Sequence, residues 1–454
     1  MNKTNDELVC INLLKPVNLN LEERIREDIE YIHYGRKNSG EISLCYSNGK
    51  IVRKKIAAFY YFIHKLIVRS HSNNDGHRHP YKDEYFRMYS RDIIPLKTPN
   101  DFITIVSLLR TLNIIEMLTE IEKNPYREKA KANYFKLKEP FNDVKIVEHQ
   151  IQITKSKALK VKTFINEMKQ NVSEVSDFTE LSDDVLKHQF HAISNLNFDS
   201  TSALTHITNL LKNRKIEVSG YNASFITLSS IKNERIIFSK SEKCGRIYST
   251  VTCMPKEIRP FLKDKSGNSL IELDFSSFNA FALYKLLNNL PSIILHDSNV
   301  DIMHFEKDLE IYKYLLSTGD FYSQLKSCLF TNASINREEF KSKVLIKWLN
   351  GKPESKNRFK KRMDEYLPAI GKILNALKDK NYSSFSSSLM KMESELVNYT
   401  IYKKFINENP EAVVYTIFDC LLVEAKYVKV LESMMLEEGN NFFGTPCSVK
   451  ITDN

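Results

Sequence analysis

Residues Ser269–Leu290 read SLIELDFSSFNAFALYKLLNNL, and two periodicities meet within them. Leu270 to Phe275 is a short apolar run that ends on an acid, which predicts a strand. Phe278, Ala282 and Leu286 then recur on one helical stripe, so the stretch reads strand, turn, helix. Asp274 falls where a buried strand ends, and a carboxylate there is expensive to desolvate unless a cation faces it. Two readings are open at this point: a divalent-ion ligand, or a cap for the following helix shared with Ser276 and Ser277. A second carboxylate in matching context, Asp419, lies 145 residues downstream.

The rest of the composition sets bounds. A chain of 454 residues with 42% hydrophobic content can bury a sizeable core and is long enough for two or three domains. A formal net charge of +10 suits a polyanionic partner without demanding one. The seven cysteines include no CxxC pair, which argues against a disulfide framework or a zinc site and makes the cytoplasm the default location. No run of 18 apolar residues and no basic-then-apolar leader is present, so neither a membrane span nor secretion is expected.

Residues 1–50 read as a lead-in, with LEERIREDIEYIHYG (21–35) at helical spacing. Residues 51–145 read as a winged-helix-like domain. IVRKKIAAFYYFIHKLIVRS (51–70) is an amphipathic helix with Ile56, Phe59, Ile63 and Leu66 or Ile67 inward, and a second helix starts at Thr98 to Asp101. Ile114–Thr119 and Ala132–Leu137 then form strands around a charged loop. Such a domain implies DNA contact, with Lys97, Arg110, Lys129 and Lys131 as candidates, although the same pattern serves protein contacts. The histidines His71, His77 and His79 between these elements lack a partner at ligand spacing and read as a surface loop. Residues 146–219 read as a helical, thumb-like linking region, and ASFITLSSI (223–231) as β-type text.

Four blocks carry the chemistry, all within residues 220–454. CGRIYSTVTCMPKEIRPFL (244–262) places Arg246 and Arg259 around a polar stretch. The strand with Asp274 follows. INREEFKSKVLIKWLNGK (335–352) sets Arg337, Lys341, Leu345 and Leu349 or Trp348 on one helical stripe, a pair of cations suited either to a solvated face or to a phosphate tail. EAVVYTIFDCLLVEAKYVKVLESMMLEEG (411–439) is a hairpin with Asp419 at its tip, then a helix with Val428, Leu431 and Met434 inward and Gly439 as its C-cap.

In this order the blocks resemble the catalytic core of family A DNA polymerases and of the single-subunit phage RNA polymerases. The resemblance implies an α+β, helix-rich fold with an antiparallel palm sheet and helical fingers. It also implies nucleotidyl transfer with two Mg²⁺ or Mn²⁺ ions held by Asp274 and Asp419. Arg337 and Lys341, with Leu345 and Asn279, would face the incoming nucleotide, while Arg246, Arg259 and Glu393 would lie towards primer-template DNA. The segment SSFSSSLMKMESELVNYTIYKKF (383–405) resembles the helix before the second acid motif. Departures stand at Phe418 in place of a histidine, Cys420 in place of a second acid, Asn279 in place of a glutamate, and Leu349 or Asn350 in place of a tyrosine. Asn279 leaves the choice between dNTP and NTP open. The expected activity is strand synthesis for a plasmid, phage or mobile element. The alternatives are a DNA-binding replication initiator whose palm no longer catalyses, and a template-independent transferase.

Overall fold

The computed structural model describes residues 8–26, 30–36, 42–48, 52, 55–71, 78–79, 82–88, 99–118, 133–155, 158, 183–233, 237–290, 294–295, 298–330, 335–380 and 382–453. The chain divides into two compact units, Met1–Glu174 with Ser200–Arg235, and Val175–Asp199 with Ile236–Asn454. The whole is helix-rich with small antiparallel sheets, as the expected α+β class requires. No helix among the described residues is long and apolar enough to cross a membrane.

The first unit begins with strand β1 (Leu8–Pro16), whose nine residues pair antiparallel with β8 (Ile146–Thr154). Strands β2 (Glu30–Arg36) and β3 (Ile42–Asn48) form a second ladder. Helix α1 (Ile56–Ser70) buries every residue from Ala58 to His64, more than the one-sided stripe expected of it. Strands β4 (Arg78–His79) and β5 (Lys82–Met88), helix α2 (Pro99–Thr111), and strands β6 (Ile115–Met117) and β7 (Asn133–Leu137) complete a sheet ordered β4-β5-β7-β6. Phe62, Phe102 and Phe135 meet in its core at centroid separations of 5.5–6.2 Å.

Three local expectations are corrected here. Residues 21–35 are not one helix, because the helix Leu21–Arg24 closes at an extended Ile25 and β2 begins at Glu30. Leu21 and Ile25 are buried, and that burial satisfies the spacing without a longer helix. Residues 146–154 form a strand, and IVEHQIQIT does alternate at its end, with Ile151 and Ile153 buried between exposed or half-buried neighbours. Residues 223–231 lie inside the helix Val218–Lys232. Its Asn222 side chain accepts from the Ile146 amide at 3.0 Å and donates to the Val144 carbonyl at 2.9 Å, so tertiary contacts override the β-branched composition.

In the second unit, helix α3 (Asp184–Ser194) and strands β9 (Asn197–Phe198), β10 (Phe238–Lys240), β11 (Ile247–Ser249) and β12 (Leu262–Lys263) lead to β13 (Ile271–Phe275) and α4 (Phe278–Asn288). Helices α5 (Ile302–Ser317), α6 (Phe321–Leu329) and α7 (Arg337–Lys343) follow, then α8 (Arg358–Tyr366), α9 (Pro368–Lys380) and α10 (Tyr382–Ser394). A π-helical stretch, Glu395–Tyr402, joins α10 to α11 (Lys403–Glu408). The chain ends in the hairpin β14 (Val414–Ile417) and β15 (Cys420–Val423), helix α12 (Val428–Phe443) and β16 (Val449–Asp453).

The four-stranded sheet β14-β15-β13-β16 is antiparallel throughout. Alternation along β13 sends Leu273 and Phe275 into the core and leaves Glu272 and Asp274 half-buried on the other face. Behind the sheet, Phe275, Phe278, Phe281 and Phe443 pack ring against ring at 5.3–6.2 Å. Gly439 is not the C-cap of α12, since the helix runs on to Phe443 and closes at Gly444 in the left-handed conformation. A Cβ at Gly439 would lie 2.9 Å from Phe275 Cε1 and 2.6 Å from Cys447 Sγ. Gly439→Ala should therefore lower stability by about 1–3 kcal/mol from overpacking, outweighing the roughly 1 kcal/mol of helix propensity gained. Urea unfolding measures the difference, and a variant at least as stable as the wild type would contradict the close approach.

Candidate active site

Asp274 and Asp419 come together on this sheet. Asp274 is the fourth residue of β13 and pairs in register with Cys420, and the Phe275 amide donates to the Asp419 carbonyl at 3.3 Å. Asp419 occupies the second position of the two-residue turn between Ile417 and Cys420. The first position, Phe418, holds a φ of 59°, the left-handed region that such hairpins demand and that glycine usually supplies. Ser277, just after β13, has a φ of 62° and gives α4 no side-chain cap. Asp274 thus has a turn between it and the helix, and the capping reading finds no hydrogen bond in its support.

The electrostatics of the pair follow from this placement. Burial, and then the facing Asp419, push Asp274 up to about 7 from an ordinary 3.8. Burial likewise raises Asp419. Lys341, from α7, pulls both back towards ionisation, and Lys450 does so for Asp274. Two like charges in partly desolvated surroundings cannot both ionise cheaply, so the site lacks positive charge.

Among the described residues no group of three or more His, Cys, Asp or Glu side chains converges as a metal site. The two carboxylates nonetheless fit a divalent ion of the Mg²⁺ type, which takes one or two carboxylates and fills its remaining positions with water and phosphate oxygens. Their mutual repulsion is the strain such an ion relieves.

Arg337 and Lys341 both start from α7, but their surroundings differ. The Arg337 guanidinium donates through Nε to both Asp320 oxygens at 3.0 and 3.1 Å and through Nη1 to Glu338 at 2.6 Å. That cluster is exposed, so exchanging it for another anion is inexpensive. The Lys341 ammonium stands 5.7 Å from the ring centre of Tyr322. After Lys343 the helix widens into a π-helical turn, Val344–Leu349. The change of pitch breaks the expected stripe: Trp348 and Leu349 are buried, and Leu345 is half-buried. Asn279 sits half-buried in the first turn of α4.

Arg246 and Glu393 face each other. The guanidinium forks onto the carboxylate, with Nε to Oε1 and Nη2 to Oε2 both at 2.6 Å, and Glu393 is 3% exposed. It also stacks 4.7 Å from the centre of the Phe418 ring. Burial drives Glu393 up to about 7 while Arg246 is held charged more firmly than usual. The fork decides between these opposite pulls: both oxygens accept N–H donors, and a protonated acid would have to give one up. Arg259 is half-buried, with Nε donating to the Met254 carbonyl at 3.1 Å. Arg110 is exposed near the end of α2, while Lys97, Lys129, Lys131 and His77 lie outside the described residues.

The sequence reading missed Tyr322, which is buried on α6 and whose hydroxyl is raised by burial and by the charge of Asp419. It also missed Glu272 and Lys450. Glu272 could have been found by strand alternation from Asp274. Lys450 carries no local signal, because only the β13–β16 register brings it opposite Asp274.

No protein-family model matches the sequence, and no curated protein does. A solved structure of the POL domain of Pol1 from M. smegmatis, in complex with DNA primer-template and dNTP, is similar with a TM-score of 0.29 and 12% identity over 64% of this chain. This chain spans 65% of that one. A likeness that slight carries no argument about chemistry.

Because the folded-state value of Asp274 is raised, its contribution to stability is full below 3.8 and is lost as the pH rises through about 7. Asp274→Asn should therefore melt higher than the wild type at pH 8 in chelator, with the gap narrowing as the pH is lowered. Thermal unfolding across this range would exclude the effect if the two curves ran parallel. Arg246→Met should cost about 3–5 kcal/mol by stranding a buried carboxylate, and adding Glu393→Leu should restore most of it. Denaturant titration of the two single variants and the double variant reads the coupling, and simple additivity would refute it.

Proposed function

We propose that this chain is a metal-dependent nucleotidyltransferase that extends a nucleic-acid strand on a DNA template, using dNTP or NTP, in the replication of a plasmid, phage or mobile element. The observation that carries the reading is the meeting of Asp274, on β13, with Asp419, in the turn of the adjoining β14–β15 hairpin, with Lys341 acting on both. Asp274 and Asp419 would hold Mg²⁺ or Mn²⁺, two ions when substrate is present. The ions would lower the pKa of an attacking hydroxyl and offset charge on the phosphates.

The other tasks fall to the chain itself. Lys341, a compact cation one helical turn from Arg337, meets the nucleotide's phosphates and offsets charge growing on the leaving pyrophosphate. Arg337 trades its exposed carboxylates for phosphate oxygens. The Arg246–Glu393 pair braces Phe418 and so fixes where Asp419 points. Cys420 adds no charge to the set, which leaves the two aspartates to hold the ions. The first unit, with α1, α2 and the β6–β7 hairpin, is the part we assign to DNA contact.

A second reading, a DNA-binding replication initiator without catalysis, is favoured by the engagement of Arg337 with Asp320 and Glu338. One experiment separates the two. Primer extension with dNTPs or NTPs and Mg²⁺ or Mn²⁺ should be lost by more than about 10³-fold in Asp274→Ala and Asp419→Ala, and by about 10²-fold in Lys341→Ala. The circular dichroism and DNA affinity of these variants should stay as in the wild type. Incorporation that persists in both aspartate variants defeats the first reading, and wild-type protein that binds DNA but never extends it supports the second.

A further inference from the structure

The sheet places a second cation beside the acid pair. β16 is an edge strand, and its Lys450 lies directly opposite Asp274. Residues so paired share a face of the sheet, with Cβ atoms about 4.5–5.5 Å apart. Lys450 is exposed, and its charge reaches Asp274 through space. On the other side of Asp274, across β15, stands the uncharged Cys420. Lys341 approaches from α7 and acts on both carboxylates. The charges of two lysines therefore act on Asp274, one of them also on Asp419, where a divalent ion is expected.

Glu272 adds a third negative charge acting on both carboxylates, so the two lysines offset the acids only in part. A bare acid pair attracts a divalent ion strongly, but an ammonium fixed beside it repels the same ion. Lys341 has a part in the proposed chemistry, whereas Lys450 has none. Its stem is long and its head is in solvent, so it is the charge that an arriving phosphate can draw aside.

We infer, resting on the proposed ion-holding role of Asp274 and Asp419, that Lys450 is a built-in counter-ion of the acid pair, which holds down the divalent-ion affinity of the free protein and couples ion loading to the arrival of a polyanionic strand. The counter-ion occupies the field of Asp274 until phosphate competes for it. The pair is thereby kept from loading fully in the absence of a strand to extend.

Titration of the full chain with Mn²⁺, read by the electron paramagnetic resonance of free Mn²⁺, tests this without any turnover. Lys450→Met should bind Mn²⁺ about tenfold more tightly than the wild type, and Lys450→Arg within about twofold of it. Lys426→Met, at an exposed lysine beyond the far end of β15, should leave the affinity unchanged. A DNA hairpin with a recessed 3′ end should tighten Mn²⁺ binding to the wild type but not to Lys450→Met. Lys450→Met that binds Mn²⁺ no better than the wild type overturns the counter-ion role, and equal tightening of both proteins by the hairpin overturns the coupling. If Asp274→Asn and Asp419→Asn leave Mn²⁺ binding intact, the ion-holding reading itself fails, which is a different signature.

Discussion

Two carboxylates that repel each other are held side by side by main-chain hydrogen bonds, and the second unit is arranged around that conflict. The backbone at Asp274 cannot shift away, because β13 is bonded on both sides, to β15 and to β16. That at Asp419 cannot either, because it lies in a two-residue turn locked by the Ile417–Cys420 pair. The sheet's packing energy maintains a charge arrangement that the side chains alone would avoid. Such arrangements persist where a ligand resolves them, and here the missing quantity is positive charge.

Two of the six non-glycine residues with positive φ among the described residues lie at the same place. Phe418 and Ser277 both adopt a positive φ, a conformation that costs a non-glycine residue on the order of 1–2 kcal/mol. Phe418 is kept there by what its ring touches: the Arg246 guanidinium on its face and Tyr248 edge-on at 6.1 Å. A glycine would relax the turn but release both contacts. Arg246 is in turn fixed by Glu393, so a buried ion pair supports the ring of the residue that precedes Asp419. The widened turn at Val344–Leu349 is anchored comparably, with the Trp348 indole donating to Asp364 at 3.0 Å and the buried Lys378 donating to the Trp348 carbonyl at 2.6 Å.

Local pattern made the core of the second unit legible. The strand, turn and helix at 271–288 and the acid-tipped hairpin at 414–423 were readable because alternation and helical spacing are properties of a few adjacent residues. Residues 8–16 and 146–154 were not, since each strand is completed by a partner 130 or more residues away and neither announces its ladder alone. The same limit hid Lys450 and Tyr322, which reach the acid pair only through tertiary placement. The stripe Arg337, Lys341, Leu345 was readable as far as Lys343 and failed beyond it, because a π-helical turn is a response to packing around Trp348 rather than to local propensity.

The contrast between the two arginines follows from burial. Arg337 and Arg246 each bind carboxylates, yet one pair is exposed and the other is not. An exposed pair contributes little and is readily exchanged for a phosphate. A buried fork is exchanged only if its partner carboxylate is given another cation or a proton, so it acts as a fixed strut. The sequence presents both as arginines of equal promise. Their surroundings leave Arg337 on exposed carboxylates that an anion can replace and Arg246 locked in a buried fork against the Phe418 ring.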